Sequence, residues 1–245
     1  MAWIAPLIVF ALLGAPALRL VRLPAEARGP ADRAIAWFFL STAAGISLRL
    51  VAVAGGGASS GEAMALNALG HLCLSLACVA LFVFTREVFR PTEVWARNVL
   101  WGGTLGTFAT FAMLFGDGGV SNEGATSVLL ANAFRTVSYL WCFVESRRYG
   151  QLMRRRLALG LADPVVANRF SLWAVWTGGL CSALGVVLVL RVLGRIVGVG
   201  ADALPLFLAP LRLALLLIVS VSVAAIWLSF FPPAAYQRWL RARAS

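Results

Sequence analysis

The segment AMALNALGHLCLSLACVALFVFT, Ala63 to Thr85, decides the fold: it holds no charged side chain and a single imidazole, His71, and Arg86 follows it directly. A bilayer core of about 30 Å is crossed by roughly 20 apolar residues in a helix, the form in which such a run satisfies its own backbone amides without water. This segment has that length. Six others share its character: Ala2 to Val21, Ala34 to Ala54, Asn98 to Phe115, Ser127 to Val144, Phe170 to Leu193 and Leu204 to Phe231. Hydrophobic residues make up 61% of the chain and charged residues 13%, so little polar sequence is left for a soluble catalytic domain beside the spans. The expected fold is all-α, a bundle of seven transmembrane helices forming a single domain over the whole chain.

Orientation follows from the arginines, because short loops rich in positive charge stay on the cytoplasmic side. All 21 cationic residues are arginine, and most lie at one end of the bundle. Arg22, Arg28 and Arg33 follow the first span. Arg86, Arg90 and Arg97 lie between the third and fourth, Arg147, Arg148, Arg154, Arg155, Arg156 and Arg169 between the fifth and sixth, and Arg238, Arg241 and Arg243 after the seventh. The N-terminus is therefore expected outside and the C-terminus in the cytoplasm, in a membrane of the bacterial inner-membrane type. The first apolar run has arginines after it and none before it, which favours an uncleaved start facing outward. A net charge of +11 is on this reading a topology signal. Nucleic-acid binding would need a basic face on a folded soluble surface, and no nucleic-acid partner is expected.

The longest inner connection, Ser146 to Arg169, carries two arginine clusters around apolar residues and is expected to be partly helical. Asp163 followed by Pro164 has the chemistry of a helix N-cap and a first-turn proline, so the sixth span is expected to start there and to project beyond the bilayer. Arg147, Arg148, Arg154, Arg155 and Arg156 are expected to meet anionic inner-leaflet lipids or a cytoplasmic signalling partner. Pro232 and Pro233 end the seventh span. Residues 234 to 243 then suit a short interfacial helix, with Tyr236, Trp239 and Leu240 toward lipid.

Eight tryptophans, Trp37, Trp95, Trp101, Trp141, Trp173, Trp176, Trp227 and Trp239, fall in the arginine-rich half and read as an interfacial belt. The pairs Gly102 with Gly106 and Gly194 with Gly198 have the spacing for close helix contact, within the bundle or in a homodimer. Two further segments look motif-like: Thr85 to Pro91 and Leu159 to Pro164.

Polar groups buried in hydrocarbon are costly and usually face the bundle interior. Arg49, Asn67, His71, Asn132, Arg135 and Arg212 come from four spans and are expected at a common level in the outer half. They suggest an outward-facing cavity for an anionic or amphiphilic ligand, because guanidinium offers a planar fork to carboxylate or phosphate. The alternative is internal pairing with Glu62, Glu123 or Asp202, or snorkelling to the outer headgroups.

Several chemistries are excluded. A retinal Schiff base needs lysine, and the sequence has none. One histidine does not assemble a metallohydrolase site or a bis-histidine haem. Cys73, Cys78, Cys142 and Cys181 have no metal-site spacing and read as small packing residues. No phosphate loop, nucleophile elbow or kinase signature occurs, and no catalytic residue, metal or cofactor is expected. Three functions remain: a sensor or signalling component, a transporter or channel for an anionic or amphiphilic solute, and a lipid-modifying enzyme with Glu87, Glu93 or Glu145 as base. Those acids are more simply partners for Arg86, Arg90 and Arg148.

Overall fold

The computed structural model describes residues 4–22, 24, 26, 29–54, 61–120, 122, 125–197 and 211–243. The described residues form eight helices: α1 (Ile4–Val21), α2 (Pro30–Ala54), α3 (Gly61–Phe89), α4 (Val94–Gly116), α5 (Thr126–Ala158), α6 (Pro164–Ile196), α7 (Arg212–Phe230) and α8 (Ala234–Ala242). The first seven are long and apolar enough to cross a membrane, so the chain is a multi-pass integral membrane protein. Trp3, Arg28, Glu123, Gly198, Asp202, Pro205 and Pro210 lie outside the described residues, as does the expected start of the seventh span.

Helix boundaries follow local chemistry. Pro30 takes the first turn of α2, where its missing N–H costs nothing, and the Asp32 carboxylate reaches back to the Gly29 N–H at 3.0 Å. The helix thus starts four residues before the apolar run does. At the far end of α5, the Gly160 N–H donates to Leu157 O and the Leu161 N–H to Arg156 O, both at 2.9 Å. Gly160 has φ +71°, the left-handed conformation that this helix-ending motif requires. Three residues later the Asp163 carboxylate accepts the N–H groups of Val165 (2.7 Å) and Val166 (3.3 Å), and Pro164 opens α6. Leu159 to Pro164 is therefore a stop followed at once by a start. It joins two helices of 33 residues, each about 50 Å long.

Six helices, α1, α2, α3, α5, α6 and α7, touch in that order, and α7 returns to α1. They close a ring. Its centre holds Phe38, Phe39, Leu81, Phe84, Trp176 and Ile226, all buried. Rings meet edge to face there, as Phe39 does with Phe230 at 5.3 Å. The remaining span, α4, lies outside the ring in the corner between α3 and α5.

Buried Trp176 departs from the expected tryptophan belt, and Trp141 and Trp173 are partly enclosed with it. These helices are apolar on nearly every face, so composition did not separate the lipid side from the bundle side. Trp37, Trp95, Trp101 and Trp239 are exposed, as belt residues would be.

The tightest crossing is that of α2 and α3. A Cβ on Gly45 would stand 2.9 Å from the Gly70 carbonyl oxygen and 2.8 Å from Leu74 Cγ. Glycine is what lets the two backbones approach. The other small-residue contact is shifted from expectation: Gly106 lies beneath Phe134 and Gly103 beneath Phe82, whereas Gly102 faces open space. Gly45→Val should lower stability by about 1–3 kcal/mol through overpacking, whereas Gly102→Val should leave it unchanged. Thermal unfolding of the two variants in detergent checks the contrast, and equal midpoints would remove the crossing from its central place.

Candidate functional site

Two polar regions stand out in the bundle, one running along the seam of α3, α4 and α5 and one closing its arginine-rich end. In the seam, α3 contributes Asn67, His71, Ser75 and Cys78, which follow one another at three- and four-residue steps along one face, and Thr85 two turns further on. The facing stripe of α5 is Asn132, Arg135, Ser138, Cys142 and Ser146, and α4 adds Thr107 and Thr110. Most of these side chains are buried, His71 completely.

Contacts tie the three helices together. Cys78 Sγ lies 3.6 Å from Thr107 Oγ1 and also within reach of Ser138, and Cys142 sits beside Thr85 and 3.9 Å from Ser146 Oγ. The hydroxyls of Thr85, Thr107 and Ser138 return to backbone carbonyls of their own helices at 2.7–2.8 Å. Small residues satisfied in this way let helices pack closely without stranding a donor in hydrocarbon.

The six residues expected to line an outer cavity fall into separate groups. Arg49 Nε donates to Asn67 Oδ1 at 3.0 Å, and Asn67 Nδ2 donates onward to the Val120 carbonyl, which joins α2, α3 and the connection after α4. On α5, Arg135 donates to Asn132 Oδ1 at 2.9 Å, and 92% of its surface is hidden, its exposure being 8%. His71 lies one turn from Asn67 along α3. Arg212 is apart from these: it is the first residue of α7, whose packing partners are α6 and α1. The space beside Asn67, bounded by Ala52, Val53, Ala63, Met64 and Val120, is about 40 Å³. That is room for a few water molecules.

At the arginine-rich end, the segment Thr85 to Pro91 proves to be an anchoring hub. Glu145 on α5 is buried and pairs with Arg90 Nε at 3.1 Å and with Arg148 at 3.8 Å. Arg86 pairs with Glu87 and donates to the Pro91 carbonyl at 2.9 Å. The Arg90 guanidinium also lies 5.7 Å from the Trp95 ring centroid, a cation–π distance. Phe89 fits among Phe84, Tyr149, Phe170 and Trp173. Four helices are thereby pinned to the α3–α4 turn.

One organising residue has no counterpart in the sequence reading. Asp117, just past α4, accepts the Ser127 N–H at 2.8 Å, the Ser127 hydroxyl at 2.6 Å and the Gly119 N–H at 3.1 Å. It caps α5 from ten residues away, because the local N-cap position is Ala125 and offers no oxygen. The Asp-Gly-Gly turn was the available signal. The Ser127 and Gly119 hydrogen bonds hold the Asp117 carboxyl below the usual aspartate range.

No metal-binding group of His, Cys, Asp or Glu occurs among the described residues. The basic residues Arg147, Arg148, Arg154, Arg155 and Arg156 lie on the last four turns of α5, and Arg147, Arg148, Arg154, Arg155 and Arg156 are all exposed. Comparison of the chain with family models, with curated proteins and with solved structures finds no match. The fold and its polar groups therefore carry the functional argument.

Removing one partner of a buried ion pair strands the other, so the cost depends on which group is left behind. Glu145 is the enclosed member, with side-chain exposure of 4% against 30% for Arg90. Arg90→Leu should therefore destabilise by about 2–4 kcal/mol and Glu145→Leu by less, with the double replacement recovering part of the loss. A double-mutant unfolding cycle measures this, and a larger loss for Glu145→Leu would contradict it.

Because the folded carboxyl of Asp117 titrates below the ordinary value of 3.8, its capping contribution is complete above that value and is lost as pH falls through the lower folded one. Amide exchange at Gly119 and Ser127, relative to unstructured rates, should quicken below pH 3.8. In Asp117→Asn the same amides should already exchange faster at pH 7.

Proposed function

We propose that this membrane protein is a sensor or signalling component, with its arginine-rich end in the cytoplasm and the α5–α6 hairpin as its output. The observation that carries this reading is the continuity of α5. One unbroken helix bears the Asn132–Arg135 pair, with its buried arginine, near one end and Arg147, Arg148, Arg154, Arg155 and Arg156 near the other. A shift of α5 at the level of Arg135 is thus carried along a rigid rod to the basic hairpin.

The ligand class follows from the buried Arg135 and half-buried Arg49 guanidinium groups. Arg135 donates to a neutral amide, and so does Arg49. Hydrogen bonds between ionised partners are roughly twice as strong as those with neutral acceptors, so a carboxylate or phosphate reaching this level competes with the amide oxygens. The apolar walls favour an amphiphile. Among the described residues the space beside Asn67 is about 40 Å³, too small for such a headgroup, and the proposed binding uses a second, more open arrangement of α2, α3 and α5 that the ligand prefers. The hairpin, with its arginines and the Schellman turn at its tip, then presents a changed surface to anionic lipid or to a cytoplasmic partner.

The test is binding of dodecyl phosphate to the protein in nanodiscs, with hydrogen exchange followed over Gln151 to Ala162. Wild type should bind with altered exchange at the hairpin, and Arg135→Gln should bind about tenfold more weakly, the loss of one charge-assisted hydrogen bond. Equal affinity of the two proteins defeats the proposed site. Phosphate flux into liposomes without any change at the hairpin defeats the signalling reading in favour of transport.

A further inference from the structure

A forked groove opens on the lipid-facing side of α2, at the arginine-rich end, and is lined by residues of α3 other than those of the α3–α4–α5 seam. Its larger arm, about 570 Å³, runs between α2 and α3, along Ala34 and Ser41 on one side and Leu76, Ala80 and Val83 on the other. Its smaller arm, about 220 Å³, runs between α1 and α2 along Leu20, Val21, Ala36 and Leu40. Arg33 and Trp37 border both arms. The fork has a simple origin: α2 and α3 touch at Gly45 and Gly70, and toward Pro30 the small side chains of Ala34 and Ala80 leave the space between them unfilled.

We propose that this fork binds one anionic diacyl phospholipid of the bilayer, its phosphate on Arg33 and its two acyl chains on either side of Trp37. Three observations converge on that occupant. The first is shape, because two apolar arms diverge from one polar point, as two chains diverge from one headgroup. A helix from a second copy, a rod about 10 Å across, would have to displace the Trp37 ring, which stands 65% exposed between the arms. The second is depth. Arg33 lies in the first turn of α2 and Trp37 one turn further in, the order of headgroup and interfacial aromatic ring in a bilayer.

The third is charge. Arg33 is exposed at the head of the fork, beside the positive end of the α2 dipole. The one acid bordering the fork, Asp32, already accepts the Gly29 N–H at 3.0 Å, which turns one of its oxygens toward the backbone. A phosphate therefore meets a guanidinium and a helix N-terminus together, and the arms supply apolar walls for the chains. The larger arm falls within the roughly 300–1,000 Å³ of small-molecule sites. This site stands whether or not the protein signals, since neither Arg135 nor the hairpin takes part in it.

Native mass spectrometry of protein released from nanodiscs tests the proposal. With equal phosphatidylglycerol and phosphatidylcholine of matched chains, wild type should retain the anionic lipid about fivefold over the neutral one, the worth of one arginine near a phosphate. Arg33→Gln should lose that preference. Arg97→Gln removes an exposed arginine from the same end but outside the fork, and should keep it. In a second mixture, diacyl phosphatidylglycerol should be retained over its single-chain lyso form. Equal retention of the two headgroups by wild type, an unchanged preference in Arg33→Gln, or equal retention of the lyso lipid would each overturn the assignment. So would release chiefly as a lipid-free dimer, which would make the fork a protein contact.

Discussion

Hydrocarbon offers no hydrogen bonds, and everything in this structure answers to that. Backbone groups pair within seven helices, and the helices cannot be drawn together by burying apolar surface that lipid already solvates. What holds them is close backbone approach at small residues, satisfied polar contacts, and aromatic rings fitted edge to face. Gly45 against Gly70 is the clearest case of the first. Ser47 donating across to the Pro6 carbonyl at 2.9 Å, and Trp227 Nε1 to the Leu12 carbonyl at 3.2 Å, are instances of the second. The ring of six helices is the geometry that lets these contacts coexist around one aromatic centre.

Polar groups inside the ring are divided by chemistry. Hydroxyls and thiols line the middle of the α3–α5 seam, where Thr85, Thr107 and Ser138 donate to carbonyls one turn back and the thiols of Cys78 and Cys142 lie against hydroxyls. Guanidinium, imidazole and carboxamide groups lie nearer the end marked by Val120, and a carboxylate with its two arginines closes the other. The bundle is thus latched at its arginine-rich end by Glu145 and its two arginines.

The helices were legible because span length is set by the membrane, and Asp163 and the Pro232-Pro233 pair marked two of their ends; the ends at Pro30 and Gly160 were not read. The start of α6 at Asp163 and Pro164 and the terminal helix after Pro233 were readable from those few residues. Rotation of each helix about its own axis was not. A helix apolar on all sides carries no moment to orient it, so Trp176 resembled its exposed neighbours and Gly102 resembled Gly103. The pairing of Arg49 with Asn67 and of Arg135 with Asn132 joins residues that share the expected group. For Arg212 the depth along the axis depended on how far the seventh span reaches back through residues 204–210, which lie outside the described residues. The capping role of Asp117 was hidden for another reason: it acts on a residue ten positions away, beyond any local pattern.

The peripheral place of α4 bears on what keeps the circle closed. α4 leans on both α3 and α5, yet α3 and α5 also touch each other directly, so no contact between neighbours of the ring runs through the fourth segment. In the finished protein α4 is the span whose removal interrupts no link of the circle.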